Sequence, residues 1–379
     1  MIPLNHNLAS LERSGIRAFT NLARQTQGCV LLTIGEPDFA TPEAVKAAAR
    51  EALERNETHY APNQGTMELR RAIGAFETNR GLPTKEDQVL VTVGATGALY
   101  TALTGILNPG EEVIIFTPAF SLYETVVTAA GGKPVLLDIS ASDFQVTGEL
   151  LQKAVTEKTK AIVVNSPCNP TGTVLNEKSL SAIREAVLGK PIFVVCDNVY
   201  QALSYGPCPD LSLDPALEGQ ILLCQSFSKP YAMTGWRVGY LRCPEYVMDR
   251  LLLLSAAENA SVPTFIQHAA VTALEQNVAP MREVYRRRRD YVTGRLREMG
   301  LTFPEPEGAF YVFADIRRFG MSSRDFCLRL IREGKLAVIP GSCFGSEGYI
   351  RISYCYSDEE LRAGLCRLEA FIKALAGEN

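Results

Sequence analysis

A carboxylate, a phenol, a carboxamide, a lysine, two hydroxyls and an arginine stand where one bound molecule could reach them all. They are Asp197, Tyr200, Asn169, Lys229, Ser226, Ser228 and Arg237. Each falls just past a short apolar run. The run 89–93 is followed by Gly94-Ala95-Thr96-Gly97, and the run 161–165 by Ser166-Pro167-Cys168-Asn169-Pro170-Thr171-Gly172. The run 192–196 ends at Asp197, with Tyr200 three residues on. The run 221–225 leads into Ser226-Phe227-Ser228-Lys229, with Arg237 eight residues later. In an open α/β sheet, ligands gather beyond the carboxyl ends of the strands. Taken singly, each group has a plainer reading. Gly94–Gly97 is a tight strand-to-helix turn, and Asn169–Gly172 a turn by its Asn/Pro/Gly chemistry. Asp197 is a helix N-cap, Tyr200 a half-buried core phenol, and Lys229 and Arg237 surface cations. Their joint occurrence, in order at successive strand ends, carries the functional reading.

The set suits pyridoxal 5′-phosphate. Its aldehyde needs an amine, and Lys229 can supply a Schiff base. Its ring nitrogen should stay protonated so that the ring accepts electrons, and a buried Asp197 would hold that proton. Its phenolate oxygen wants donors, which Tyr200 and Asn169 provide. Its phosphate wants backbone N–H groups at a helix start plus a fixed cation. Gly94, Ala95 and Thr96, the hydroxyls of Ser226 and Ser228, and Arg237 answer that need. The ring face wants an aromatic plate, and Phe120 is placed for it.

The elements that position these groups are legible as runs. Candidate strands are 89–93, 112–116, 133–138, 161–165, 192–196, 221–225 and 238–242. Most are continuously apolar, the mark of strands buried on both faces of a parallel sheet. Helical stretches such as 97–107 and 177–187 lie between them. The fold class that follows is α/β, a mostly parallel seven-stranded sheet with flanking helices, plus a smaller α+β domain. A long helical pattern covers 245–299; strands are expected at 310–314, 336–339 and 349–354, and a closing helix at 358–375. The division expected is a large domain over 46–285, with 1–45 and 286–379 forming the small domain and an N-terminal arm.

Composition bounds the function. The 379 residues carry 38 basic and 42 acidic side chains, a net charge of −4. A basic stripe for nucleic acid is not expected, and the run Arg286 to Arg289 is read as a solvated helix face. No stretch approaches the ~20 apolar residues that span a bilayer, and the first residues do not resemble a secretory signal. The ten cysteines form no Cys-x-x-Cys pair, and the three histidines are far apart. Free thiols in a reducing cytoplasm are expected, and no metal site.

The motifs resemble those of the fold-type I, pyridoxal-phosphate-dependent class I/II aminotransferases along nearly the whole chain. They include Gly35-Glu36-Pro37-Asp38-Phe39, Tyr60-Ala61-Pro62-Asn63-Gln64-Gly65, Asn169-Pro170-Thr171-Gly172, Asp197-Asn198-Val199-Tyr200 and Ser226-Phe227-Ser228-Lys229. Thr234-Gly235-Trp236-Arg237-Val238-Gly239-Tyr240, Pro306 to Tyr311 and Tyr349-Ile350-Arg351-Ile352-Ser353 complete them. The resemblance implies that Arg351 grips the substrate α-carboxylate, that the backbone of Gly35 lies beside it, and that Tyr60 reaches the phosphate of a second subunit in a homodimer. It makes 308–311 a scaffold element. Two departures stand out: Asn198, where an acid is usual, and Cys168, where Asn or Ser is commoner. The implied reaction is ping-pong transamination between an L-amino acid and a 2-oxo acid, with Asp197 and Tyr200 assisting Lys229. Among relatives, the segments 32–39 and Ser14-Gly15-Ile16-Arg17 look most like bacterial enzymes for N-acetyl-diaminopimelate or aromatic amino acids. Arg17 is read as a surface residue or as a partner for a distal carboxylate. The alternative is a C–S β-lyase on cystathionine-like thioethers. A DNA-binding fusion has too few residues before Gly35, and a nicotinamide site lacks the Gly-x-Gly-x-x-Gly spacing.

Overall fold

The computed structural model describes residues 2, 5–9, 11 and 15–378. Ser14, part of the segment compared above, lies outside the described residues. Twelve strands appear among the described residues: β1 (Val30–Leu31), β2 (Val89–Thr92), β3 (Glu112–Thr117), β4 (Lys133–Asp138), β5 (Thr159–Asn165), β6 (Phe193–Asp197), β7 (Ile221–Ser226), β8 (Gly239–Arg242), β9 (Tyr311–Asp315), β10 (Leu336–Ala337), β11 (Ile339–Pro340) and β12 (Tyr349–Ser353).

Strands β2 to β8 form one seven-stranded sheet in the order β2-β8-β7-β6-β5-β3-β4. Only β8 runs against its neighbours β2 and β7; the remaining pairs are parallel. The continuous apolar runs follow from burial on both faces. Val113, Ile115, Val163, Val195 and Leu222 enter one core, while Ile114, Phe116, Val164, Val194 and Ile221 enter the core on the opposite face. Edge strand β4 is half exposed, and it is the one that begins with a lysine.

Two smaller sheets complete the fold. β11, β12 and β9 are antiparallel, and β1 pairs in parallel with β10. They share a core that includes Phe19, Leu32, Phe313, Ile350 and Leu365. The expected strand 336–339 is two strands. It breaks at Val338 because its first half pairs with β1 and its second with β12. The expected helical stretch 245–299 is three helices, Glu245–Asn259, Thr264–Leu274 and Ala279–Glu298. Ala260, at a positive φ of 57°, ends the first, and Pro263 starts the second. Pro280 in the first turn starts the third. Among the described residues no helix is long and apolar enough to cross a membrane. All ten cysteines are free.

Candidate active site

The carboxyl ends of the parallel strands open onto a cavity of about 240 Å³. Its wall holds Gly35, Ala95, Thr96, Phe120, Asn169, Asp197, Tyr200, Ser226, Ser228, Lys229, Arg237 and Arg351. Gly94 stands directly behind, where a Cβ would lie 2.8 Å from Arg237 Nη2. Among the cofactor- and substrate-site residues expected from the sequence, Gly94 and Tyr60 do not line this cavity, and Tyr60 is apart from it. It is 91% exposed in the single chain.

Lys229 follows β7. Its Nζ donates to the Gly35 carbonyl at 2.5 Å and faces no carboxylate within ion-pair distance among the described residues. Burial pushes its pKa down to about 8. Asp197 ends β6 and is buried. It accepts from the Tyr123 hydroxyl at 2.6 Å and from Val199 N–H at 3.4 Å. Burial drives its pKa up to about 6, against the pull of those two donors. Tyr123 is held as a donor, because burial and the Asp197 charge both push its own pKa upward. Asn165 ties two strand ends together. Its Nδ2 donates to the Asp197 carbonyl and its Oδ1 accepts from Asn169 N–H, both at 2.9 Å.

The second flank is built by the smaller sheets. Arg351 on β12 is 2% exposed and pairs with no acid among the described residues. Its Nη1 donates to Asn169 Oδ1 at 2.8 Å and its Nη2 to the Thr33 carbonyl. The guanidinium lies 4.5 Å from the Tyr311 ring centroid and 4.9 Å from that of Phe344, and its Nε is buried without a partner. The Tyr200 and Tyr311 hydroxyls are 2.7 Å apart. Tyr311, read from sequence as scaffold, is therefore a wall residue. Gly35 is glycine for a steric reason: a Cβ there would sit 1.7 Å from the Tyr311 hydroxyl.

The opposite end is cationic and rich in N–H groups. Helix Gly94–Ile106 starts with Gly94 at φ 67° and no side-chain cap. Its first N–H groups are left free to meet an anion. Ser226 Oγ accepts from Ser228 N–H at 3.0 Å. Arg237 leads into β8, so the reversed direction of that strand brings it to the same rim as the ends of its neighbours.

Tyr123, Asn165 and Tyr311 were not foreseen as site residues. Tyr123, on helix Leu122–Ala129, lies three positions beyond Phe120, a short spacing that could have flagged it. Arg17 is exposed, and its neighbour Ile16 lines the cavity instead. Asn198 and Cys168 do not line it. The residues present fit pyridoxal phosphate. A lysine lacking an acid partner, a buried carboxylate, a free helix start beside an arginine, and a guanidinium with an orphaned Nε share one cavity.

The family profile described as Aminotransferase class I and II matches residues 27–368. The chain is 39% identical to the probable N-acetyl-LL-diaminopimelate aminotransferase of Bacillus subtilis, over 97% of this chain and 95% of that protein. It is 40% identical to aromatic-amino-acid aminotransferase 2 of Thermococcus litoralis, over 98% of each. The aspartate aminotransferase of Thermus thermophilus with maleate superposes with a TM-score of 0.93 at 35% identity, covering 98% of this chain and all of that one (100%). These relatives are aminotransferases, which does not favour the lyase alternative. The chain belongs to the class I and II aminotransferases, enzymes that use pyridoxal phosphate to move an amino group between an amino acid and a 2-oxo acid.

Proposed function

We propose that this aminotransferase takes L-amino acids with apolar or aromatic side chains in preference to dicarboxylic ones. The carrying observation is the distribution of charge in the cavity wall. Ile16, Ile34, Leu99, Leu122 and Val199 are apolar, and the only wall cations among the described residues are Lys229, Arg237 and Arg351. Each of the three already has a task. When bound, pyridoxal phosphate supplies an aldehyde that takes up the amino nitrogen and a ring that accepts the electrons released at Cα. Lys229 would hold that aldehyde until the substrate amine displaces it, and its freed amine would then carry the Cα proton as general base and acid. Asp197 would keep the ring nitrogen protonated, with Tyr123 orienting the carboxylate. Tyr200 and Asn169 would donate to the phenolic oxygen, and Phe120 would cover the ring. Gly94, Ala95, Thr96, Ser226, Ser228 and Arg237 would hold the phosphate. Arg351 takes the substrate α-carboxylate beside Gly35, which leaves no cation of this chain for a second carboxylate.

The working unit is a homodimer, in which the exposed Tyr60 ring reaches the phosphate of the second copy. Residues 46–285 carry the cofactor groups, and 1–45 with 286–379 bring Gly35 and Arg351 to them. Ten free thiols suit a reducing cytoplasm, and amino-acid biosynthesis is the setting such a reaction serves. The test is kcat/KM for phenylalanine and for aspartate with one common 2-oxo acid acceptor. Burying an unpaired carboxylate against the apolar wall should leave aspartate roughly tenfold or more behind. Equal or better turnover of aspartate would overturn the substrate assignment.

A further inference from the structure

Behind the wall that carries Asp197 and Tyr200, one buried carboxylate gathers the turn between them. The Asp210 side chain is 4% exposed. Its two oxygens accept from Asn198 Nδ2, both at 3.0 Å, and from Gln201 Nε2 at 2.6 Å. Ser212 adds its N–H at 2.9 Å and its hydroxyl at 2.7 Å, and Arg80 Nη2 donates at 3.0 Å. Asn198 comes directly after Asp197, and Gln201 directly after Tyr200. One side chain thus holds the neighbours of two wall residues.

The charge is anchored on its far side. Arg80 Nη1 donates to both oxygens of Glu77 at 3.0 and 2.9 Å. Glu77 is fully buried and also accepts from the Tyr240 hydroxyl, on β8 beside the phosphate end. Gln225 of β7, with its amide turned to satisfy both neighbours, donates to the Asn198 carbonyl at 3.0 Å and accepts from Arg80 at 3.2 Å. The network therefore runs from the Asp197–Tyr200 turn to β7 and β8. It also favours an amide over an acid at position 198. An acid there would place a second carboxylate about 3 Å from Asp210 in a buried setting, where two such charges do not both ionise. An amide gives Asp210 a donor instead.

We propose that Asp210 is a positioning residue for transamination. Through Asn198 and Gln201 it fixes the turn that presents Asp197 to the ring nitrogen and Tyr200 to the phenolic oxygen, which requires a donor at position 198. This rests on the roles given above to Asp197 and Tyr200.

The test is a charge exchange in the holoenzyme: Asn198→Asp, Asp210→Asn, and both together. Thermal midpoint, dissociation constant for pyridoxal phosphate, the pH midpoint of the bound cofactor's absorbance, and kcat with KM are read for each. Each single change should lower kcat roughly 10- to 100-fold with little change in KM, as expected for a misplaced catalytic group, and should move the absorbance midpoint. The double variant, which restores a donor opposite an acid with the charge total unchanged, should regain roughly tenfold in kcat over the poorer single variant. An unchanged kcat and absorbance midpoint in Asn198→Asp would overturn the proposal, as would a double variant no better than the poorer single one. If the charge variants do not fold, Gln201→Leu removes one donor without adding charge. A lowered kcat at an unchanged thermal midpoint then supports the clamp, and an unchanged kcat rejects it. A parent enzyme that binds the cofactor but does not transaminate would reject the functional reading instead. The exchange would then still be decided by the absorbance midpoints and the cofactor dissociation constants.

Discussion

At the scale of single residues, the cavity is organised by groups whose burial is incompletely compensated. Asp197 depends on two donors, of which the Tyr123 hydroxyl at 2.6 Å is the shorter. Tyr123→Phe removes a hydrogen bond to a charged group, worth about 1.5–3 kcal/mol. The Asp197 pKa should rise further, so kcat should fall roughly tenfold or more and the acid limb of its pH profile should shift upward. A steady-state pH series checks both. Gly35→Ala acts by sterics: the new Cβ would overlap the Tyr311 hydroxyl, which must move and break its pairing with Tyr200. A displacement of that size should cost roughly 10- to 100-fold in kcat/KM. Lys229, Asp197, Asn169 and Arg237 were legible in the sequence because each sits at a strand end, where type and position coincide. Tyr123 and Tyr311 were not. Their partners, Asp197 and Tyr200, are 74 and 111 positions away, and no local pattern records that closeness.

At the scale of elements, the site depends on one strand running backwards. Because β8 is antiparallel, Gly239 lies at the rim, where a Cβ would meet Gln225 O at 2.6 Å, Gly94 C at 2.7 Å and Ala95 N at 2.9 Å. These are backbone atoms that cannot swing aside. Gly239→Ala should push the start of helix Gly94–Ile106 away from Arg237, an overpacking strain of about 1–3 kcal/mol. If the strain falls on the phosphate end, the affinity for pyridoxal phosphate should drop roughly 10- to 100-fold with kcat less affected. Fluorescence titration of the cofactor-free protein measures this. Six strands of this sheet were legible because double-sided burial leaves mostly apolar runs, and half-exposed edge strand β4 was legible from Val135-Leu136-Leu137. The β1–β10 pair was not, because two-residue strands have no period and their partners are far apart in the chain. The helical stretch 245–299 has the composition of one helix. Its breaks are set by Pro263, Pro280 and the turn at Ala260, which weigh little in an average over composition.

At the scale of the whole molecule, Arg288 ties three separate stretches together. It is 10% exposed and pairs with both oxygens of Asp38 at 2.8 Å and with Asp358 at 2.9 Å. The four-arginine run is thus not one solvated face. Successive helical residues point about 100° apart, so Arg288 and Arg289 turn inward while Arg287 stays exposed. Folding is also linked to the cofactor. Relative to its ordinary value of 3.8, Asp197 is raised to about 6 in the folded chain, so stability falls as pH rises between those values. Lys229 is lowered from 10.5 to about 8, so stability rises with pH between 8 and 10.5. The full cost of burying both charges therefore lies between about pH 6 and 8. In the roles proposed for them both groups would gain partners when pyridoxal phosphate binds, so the rise in thermal midpoint on adding it should be largest in that window. Melting curves with and without the cofactor, inside and outside the window, check this. Transamination through Lys229 is tested most directly by a single half-reaction. Holoenzyme is mixed with phenylalanine in the absence of any 2-oxo acid, and products are counted per active site. One equivalent of 2-oxo acid and no free ammonia are expected, and no 2-oxo acid when Lys229→Ala is used. Continued release of ammonia and 2-oxo acid beyond one equivalent, or an undiminished yield from Lys229→Ala, would contradict transamination through Lys229.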